Sequence, residues 1–212
     1  MMSNIDQIIT QLAQEAAPVR PMRAWRIFLQ WLLAFTAYGL LVHGFILHPR
    51  PDLSEQVLQP LFTAEILTLS ALFLSSLVFA AAQSLPGSAN NRLIAALPIA
   101  SAAAFVTVMF MAWLADQPPA PQPVHGWECL LCISITSLLP AWWLARHMRR
   151  MAPTRLSSAG LAVAAAAFAL GAMLLRLSED TNAIGHLIGW HYFPMTIFSW
   201  MGFALGQKIF RW

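Results

Sequence analysis

Apolar residues run along this chain in six long stretches, separated by short polar breaks rich in proline. The stretches lie near Ala24–Leu47, Val57–Gln83, Arg92–Ala115, Gly126–His147, Leu156–Leu177 and Ala183–Gln207. A bilayer core about 30 Å thick needs roughly 20 apolar helical residues for one crossing. Each stretch meets that length, and each is predicted to be helical because lipid offers no partner to an unpaired backbone group. The breaks carry turn chemistry, as in His48-Pro-Arg-Pro-Asp52 and Met151-Ala-Pro-Thr154. They are short, so neighbouring helices are expected to pack antiparallel. The pattern predicts an all-α, six-transmembrane-helix bundle.

The first 23 residues follow a different pattern. Ile5, Ile8, Ile9, Leu12, Ala13 and Ala16 recur at the i, i+3, i+4, i+7 spacing of one helical face. Asp6, Gln7, Gln11, Gln14 and Glu15 occupy the other face, and Ser3 with Asp6 resembles a capping box. Pro18-Val19-Arg20-Pro21 cannot continue the helix. The chain therefore divides into a segment 1–23 carrying a short amphipathic helix and a transmembrane domain 24–212. An apolar stripe has to be covered by something. Helices that lie on lipid usually carry Lys and Arg on the polar face, whereas this one has two acids and no cation before Arg20. A groove on a partner protein fits better. Ile5, Asp6, Ile8, Ile9, Leu12 and Ala13, with Pro18 and Val19 behind them, are the candidate partner-binding residues.

Composition agrees with the bilayer reading. The 212 residues are 58% hydrophobic and 10% charged, against about 25% charged in a typical soluble domain. That balance excludes a disordered chain, a coiled coil and a polybasic nucleic-acid binder. Two cysteines are too few for a disulfide scaffold. The net charge of +3 matters through its placement. Arg20, Arg23, Arg26, Arg92, Arg146, Arg149, Arg150, Arg155, Lys208 and Arg211 fall on one predicted side, and only Arg50 and Arg176 on the other. By the positive-inside rule both termini are expected in the cytoplasm. The first apolar run is too long for a signal-peptide core and is expected to stay as an anchor.

The unusual polar groups gather on the opposite, outer half. His43 and His48 end the first stretch, and Glu65 lies about two turns into the second. His125, Glu128, Cys129 and Cys132 open the fourth, and His186 and His191 open the sixth. Ionisable residues at membrane depth are costly and often functional. Glu65, Cys129, Cys132, His186 and His191 are therefore the candidates for sensing a signal. The plainer reading has Glu65 bonded to a neighbouring helix and the histidines at headgroup level. Cys129-Leu-Leu-Cys132 puts two thiols on one helical face, but its context is not that of a thioredoxin motif. One such pair does not make a zinc knuckle, so the pattern assigns no metal. The histidines offer no second matched pair for haem, and no cofactor is assigned. No nucleotide-binding, nucleophile-elbow or zinc-protease motif is present, so no enzyme is expected. The alanine- and glycine-rich run Ala159–Gly171 reads as a packing surface.

Taken together these features resemble the NrsF-type integral-membrane anti-sigma factors of proteobacteria. Ile8-Ile-Thr-Gln-Leu-Ala13 with Pro18-Val-Arg-Pro21 is similar to the family's N-terminal segment. Cys129-Leu-Leu-Cys-Ile133 leading to Pro140, Arg149-Arg-Met-Ala-Pro-Thr154, Trp190-His191 and the closing Arg211-Trp212 extend the likeness along the chain. The resemblance implies restraint of an extracytoplasmic-function sigma factor through the N-terminal helix, and release on an envelope, redox or metal signal. It implies no direct contact with nucleic acid. Members that sense metals or oxidants use two cysteines, one opening the fourth helix and one after the fifth. Cys129 fills the first position and Leu177 falls at the second, so the thiol pair is absent. The competing reading is a small transporter or channel-like protein built on Glu65 and the outer histidines.

Overall fold

A computed structural model describes residues 4–15, 22–85, 91–116 and 126–211. Ser3, Ala16, Pro18, Val19, Pro21 and His125 lie outside them. The described residues form helices, in the order α1 Asn4–Glu15, α2 Ala24–Val42, α3 Leu53–Gln56, α4 Pro60–Gln83, α5 Arg92–Ala115, α6 Trp127–Arg149, α7 Leu156–Arg176, α8 Ile184–His186 and α9 Phe193–Ile209. A π-helical turn, His43–Leu47, continues α2, and a second, Leu187–Tyr192, joins α8 to α9.

Local chemistry sets several of these bounds. Asn91 caps α5 by accepting from the amides of Leu93 and Ile94. The second apolar stretch becomes helical at Pro60 rather than Val57, since proline suits the first turn, where its missing N–H costs nothing.

Five helices are long and apolar enough to cross a membrane: α2 with its π turn, α4, α5, α6 and α7. This corrects the expectation of six. The last stretch is helical from Ile184 to Ile209, but the π segment divides it and leaves α9 only 17 residues. Gly185 and Gly189 weaken the turns ahead of α9, and Pro194 falls in its first turn, where a regular helix begins again.

The helix α7 is the centre. It is buried over 78% of its most apolar window, against 11% for α5. Its small residues let α9 approach backbone to backbone. A side chain on Gly160 would strike the Gly202 carbonyl, and one on Gly206 would strike the Leu156 carbonyl. Phe168 stacks on Phe198 further along the pair, so α9 runs antiparallel to α7. In lipid, close packing of this kind replaces the hydrophobic drive that water would supply. The helix α2 lays Ile27, Trp31 and Phe35 on the bundle at four-residue spacing and leaves Leu29, Leu33 and Leu40 exposed.

Cross-helix bonds define two ends. At one end Trp31 donates to His147 (2.6 Å) and Ser158 to Gln83 (3.4 Å). Arg23, Arg26, Arg92, Arg146, Arg149, Arg150, Arg155, Lys208 and Arg211 belong to the helix termini and connections at this end. The opposite end joins the π turn of α2, the start of α4, the end of α7 and the start of α6.

Candidate functional site

At the end remote from the cations, the short loop between α7 and α8 is clamped by two buried arginines. Arg176, 3% exposed, donates from Nε to Glu65 (2.8 Å) and from its terminal nitrogens to the Thr181 carbonyl and Asn182 Oδ1. Tyr192 donates its hydroxyl to the same Glu65 oxygen. Arg50, 2% exposed, makes a two-pronged pair with Asp52 and also reaches the Asp180 carbonyl and Asn182 Oδ1. The Arg50 amide donates to the Leu177 carbonyl (3.0 Å). Both guanidinium groups lie over the Phe62 ring, at 5.7 Å for Arg50 and 4.6 Å for Arg176. Asn182 Oδ1 thus accepts from both cations. Buried charges of this kind hold only when paired and hydrogen-bonded, and these are.

The clamped loop presents Glu179 to a second cluster. Cys129 Sγ lies 3.5 Å from both Glu179 carboxylate oxygens and 3.4 Å from His186 Nε2. His186 Nε2 is 3.3 Å from one Glu179 oxygen, and His191 Nε2 is 2.9 Å from the other. One ligand atom from each of Cys129, Glu179, His186 and His191 lies within 4.8 Å of every other. Cys129 and Glu179 are half-buried; His186 and His191 are fully buried. Three elements converge here: the first turn of α6, the α7–α8 loop, and the helical run from α8 into the π segment. The wider π turn places His191 and Tyr192 side by side, one serving this cluster and the other the Glu65 pair.

The cluster is not closed by hydrogen bonds. His186 Nδ1 and both nitrogens of His191 have no hydrogen-bond partner among the described residues. The 2.9 Å approach of His191 to Glu179 is off the line a hydrogen bond requires. Burial acts to raise the Glu179 carboxyl, but His191, His186 and the Cys129 thiol beside it outweigh burial and hold it below the usual carboxylate range.

Of the five sensing candidates, the structure brings Cys129, His186 and His191 together. Glu65 belongs to the neighbouring ion pair, as the plainer reading of it expected. Cys132 sits one turn deeper on α6 and outside the four-residue group, and both cysteines are free thiols. Glu179 was missed as a ligand candidate. The residue facing Cys129 is Glu179 and not Leu177, two positions earlier. Nothing local in the sequence separates it from the adjacent acid Asp180; only the clamp on the loop decides which one turns inward.

At the other extreme of the chain, the side-chain bonds of α1 include two local ones, Thr10 to the Asp6 carbonyl and Gln11 to Glu15. Ile5, Ile8, Ile9 and Leu12 are 51–68% exposed. Asp6 and Ala13 are exposed beside them.

A bundle of apolar helices, five of them long enough to cross a membrane, is the build of a membrane protein. Comparison with known proteins makes the class specific. The family model described as "Negative regulator of sigma F" matches residues 12–212. The chain belongs to this family of anti-sigma factors, whose role is regulatory. It is also similar to the probable anti-sigma-F factor NrsF of Azospira oryzae (strain ATCC BAA-33 / DSM 13638 / PS), at 28% identity over 213 residues, covering 98% of this chain and 99% of the relative. No solved structure matches the chain.

Proposed function

We propose that this protein restrains an extracytoplasmic-function sigma factor at the bacterial inner membrane by burying the α1 stripe in a groove of that partner. One observation carries the reading: four large aliphatic side chains, Ile5, Ile8, Ile9 and Leu12, stand exposed on one helical face in a chain of anti-sigma family. An aliphatic stripe of that size favours a partner groove, and the acids Asp6 and Glu15 disfavour anionic lipid. The cation-rich end, with α1 attached, faces the cytoplasm by the positive-inside rule. The Cys129 cluster then faces the periplasm, where an envelope, redox or metal signal would act. Pro18 and Val19 would complete the docking segment.

The pairing of Glu65 with Arg176 and Tyr192 removes the free intramembrane carboxylate on which a transporter reading depended.

The test is co-purification of the full-length protein with an extracytoplasmic-function sigma factor. Ile8→Asp and Leu12→Asp each put a charge into the stripe and should weaken binding by about 2 kcal/mol or more, roughly thirtyfold. Gln14→Asp, on the polar face, should bind as the parent does. Retention of the sigma factor by both stripe variants would remove α1 from the interface.

A further inference from the structure

The four side chains Cys129, Glu179, His186 and His191 have the donor set and spacing of a tetrahedral metal site. A zinc-like ion with bonds of about 2.0–2.3 Å to N, O and S ligands places those ligands about 3.3–3.7 Å apart. The measured separations are 3.3 Å for His186–Glu179, 3.4 Å for Cys129–His186 and 3.5 Å for Cys129–Glu179. His191–Glu179 is tighter, at 2.9 Å, and every pair stays within 4.8 Å. Pairing of both imidazoles with Glu179 accounts for part of this crowding but leaves three ring nitrogens without a hydrogen bond among the described residues. His191 is fully buried with Nε2 turned on the cluster, close to Glu179 but off the line of a hydrogen bond, an arrangement that is costly in a protein interior. A cation between the four groups would take up that lone pair and neutralise Glu179 and a Cys129 thiolate.

The geometry points to a binding site for a divalent transition-metal ion of borderline softness, Zn2+ or Co2+ in character, held by Cys129 Sγ, the Glu179 carboxylate, His186 Nε2 and His191 Nε2. Two imidazoles, one carboxylate and one thiolate suit such an ion better than Mg2+ or Ca2+, which require oxygen ligands. Cys132 is not a ligand. Glu179 is held by a loop that Arg50 and Arg176 fix independently, so this donor is in place before the ion arrives. Binding would tie the start of α6 to the α7–α8 loop and the π segment. The site stands whether or not the chain restrains a sigma factor, and its test reads the metal alone.

Full-length protein in detergent, stripped with chelator, is titrated with Co2+. One equivalent is expected to give the intense visible absorption of tetrahedral Co2+ with a thiolate-to-cobalt charge-transfer band, displaced by Zn2+. Cys129→Ser should lose that band. Glu179→Gln, a near-isosteric change at a half-buried position, should bind at least about tenfold more weakly. Cys132→Ser should match the parent protein. Absence of saturable Co2+ and Zn2+ binding by the parent protein overturns the site. So does a weak octahedral spectrum without the thiolate band, or loss of that band in Cys132→Ser rather than Cys129→Ser.

Discussion

Two polar clusters lie side by side at one end of this bundle, and they are built on opposite terms. Glu65, Arg176 and Tyr192 form a closed set: the cation has a carboxylate, a carbonyl and an amide oxygen, and the carboxylate has two donors. Cys129, Glu179, His186 and His191 are just as crowded, yet three ring nitrogens in the set lack a hydrogen bond. One draws Arg176 from the end of α7 and the other Glu179 from the loop that follows it, and both draw on the helical run before α9. The closed cluster explains why its neighbour can stay open. Arg176 and Arg50 hold the loop that carries Glu179, so the second cluster keeps its shape without satisfying itself. Saturated pairing reads as structure; polar groups that are buried and left short of partners read as a place for something else.

The contrast can be broken most severely at Arg176. Arg176→Met leaves Glu65 buried without its cation and should cost about 3–5 kcal/mol, read as a lowered thermal transition in detergent. An unchanged transition would mean that the ion pair does not hold the fold. A smaller effect sharpens the other side of the comparison. In chelator-treated protein, His191→Leu should cost clearly less than Arg176→Met, about 1 kcal/mol, because it takes one neighbour from a half-buried Glu179 that keeps His186 and Cys129 beside it. Added Zn2+ should then stabilise the parent protein and not the variant, by about 2.7 kcal/mol at a hundredfold excess over Kd. A loss as large as that of Arg176→Met without metal would place His191 among the structural residues.

The least effect belongs to Asp52, at the edge of the clamp. Hydrogen bonding from Arg50, helped by Gln56, holds its carboxyl below the usual range. Its contribution to stability is present above the unfolded carboxyl pKa of about 3.9 and fades as pH falls through the lower folded value. Thermal scans of parent and Asp52→Asn should therefore differ slightly near neutral pH and converge in acid. A gap that widens as pH falls would reverse the sign assigned here.

Much of the fold was legible residue by residue. The apolar stretches predicted α2, α4, α5, α6 and α7, and the run Ala159–Gly171 predicted a packing helix, because length and side-chain size are local properties. The sixth stretch was misjudged. Its apolar content matched the others, but Gly185 and Gly189 weaken its first turns and the π segment Leu187–Tyr192 divides it, leaving α9 only 17 residues. The stripe on α1 was legible too, since 3.6-residue periodicity needs no tertiary information.

The candidate site was legible only in part. Cys129, His186 and His191 drew notice because ionisable and soft side chains are rare in such a chain, but they stood as separate features. Glu65 carried the same signal and proved to be paired. What the sequence by itself determined is the five long apolar helices, the sorting of charge along the chain and the apolar N-terminal stripe, all of which follow from local composition and period. What only the tertiary structure decided is which polar groups meet. Cys129 and His186 are 57 residues apart, and Glu65 and Arg176 are 111 apart. Their encounters depend on how α7 seats among its neighbours and on a loop pinned from two sides, and no local pattern encodes either.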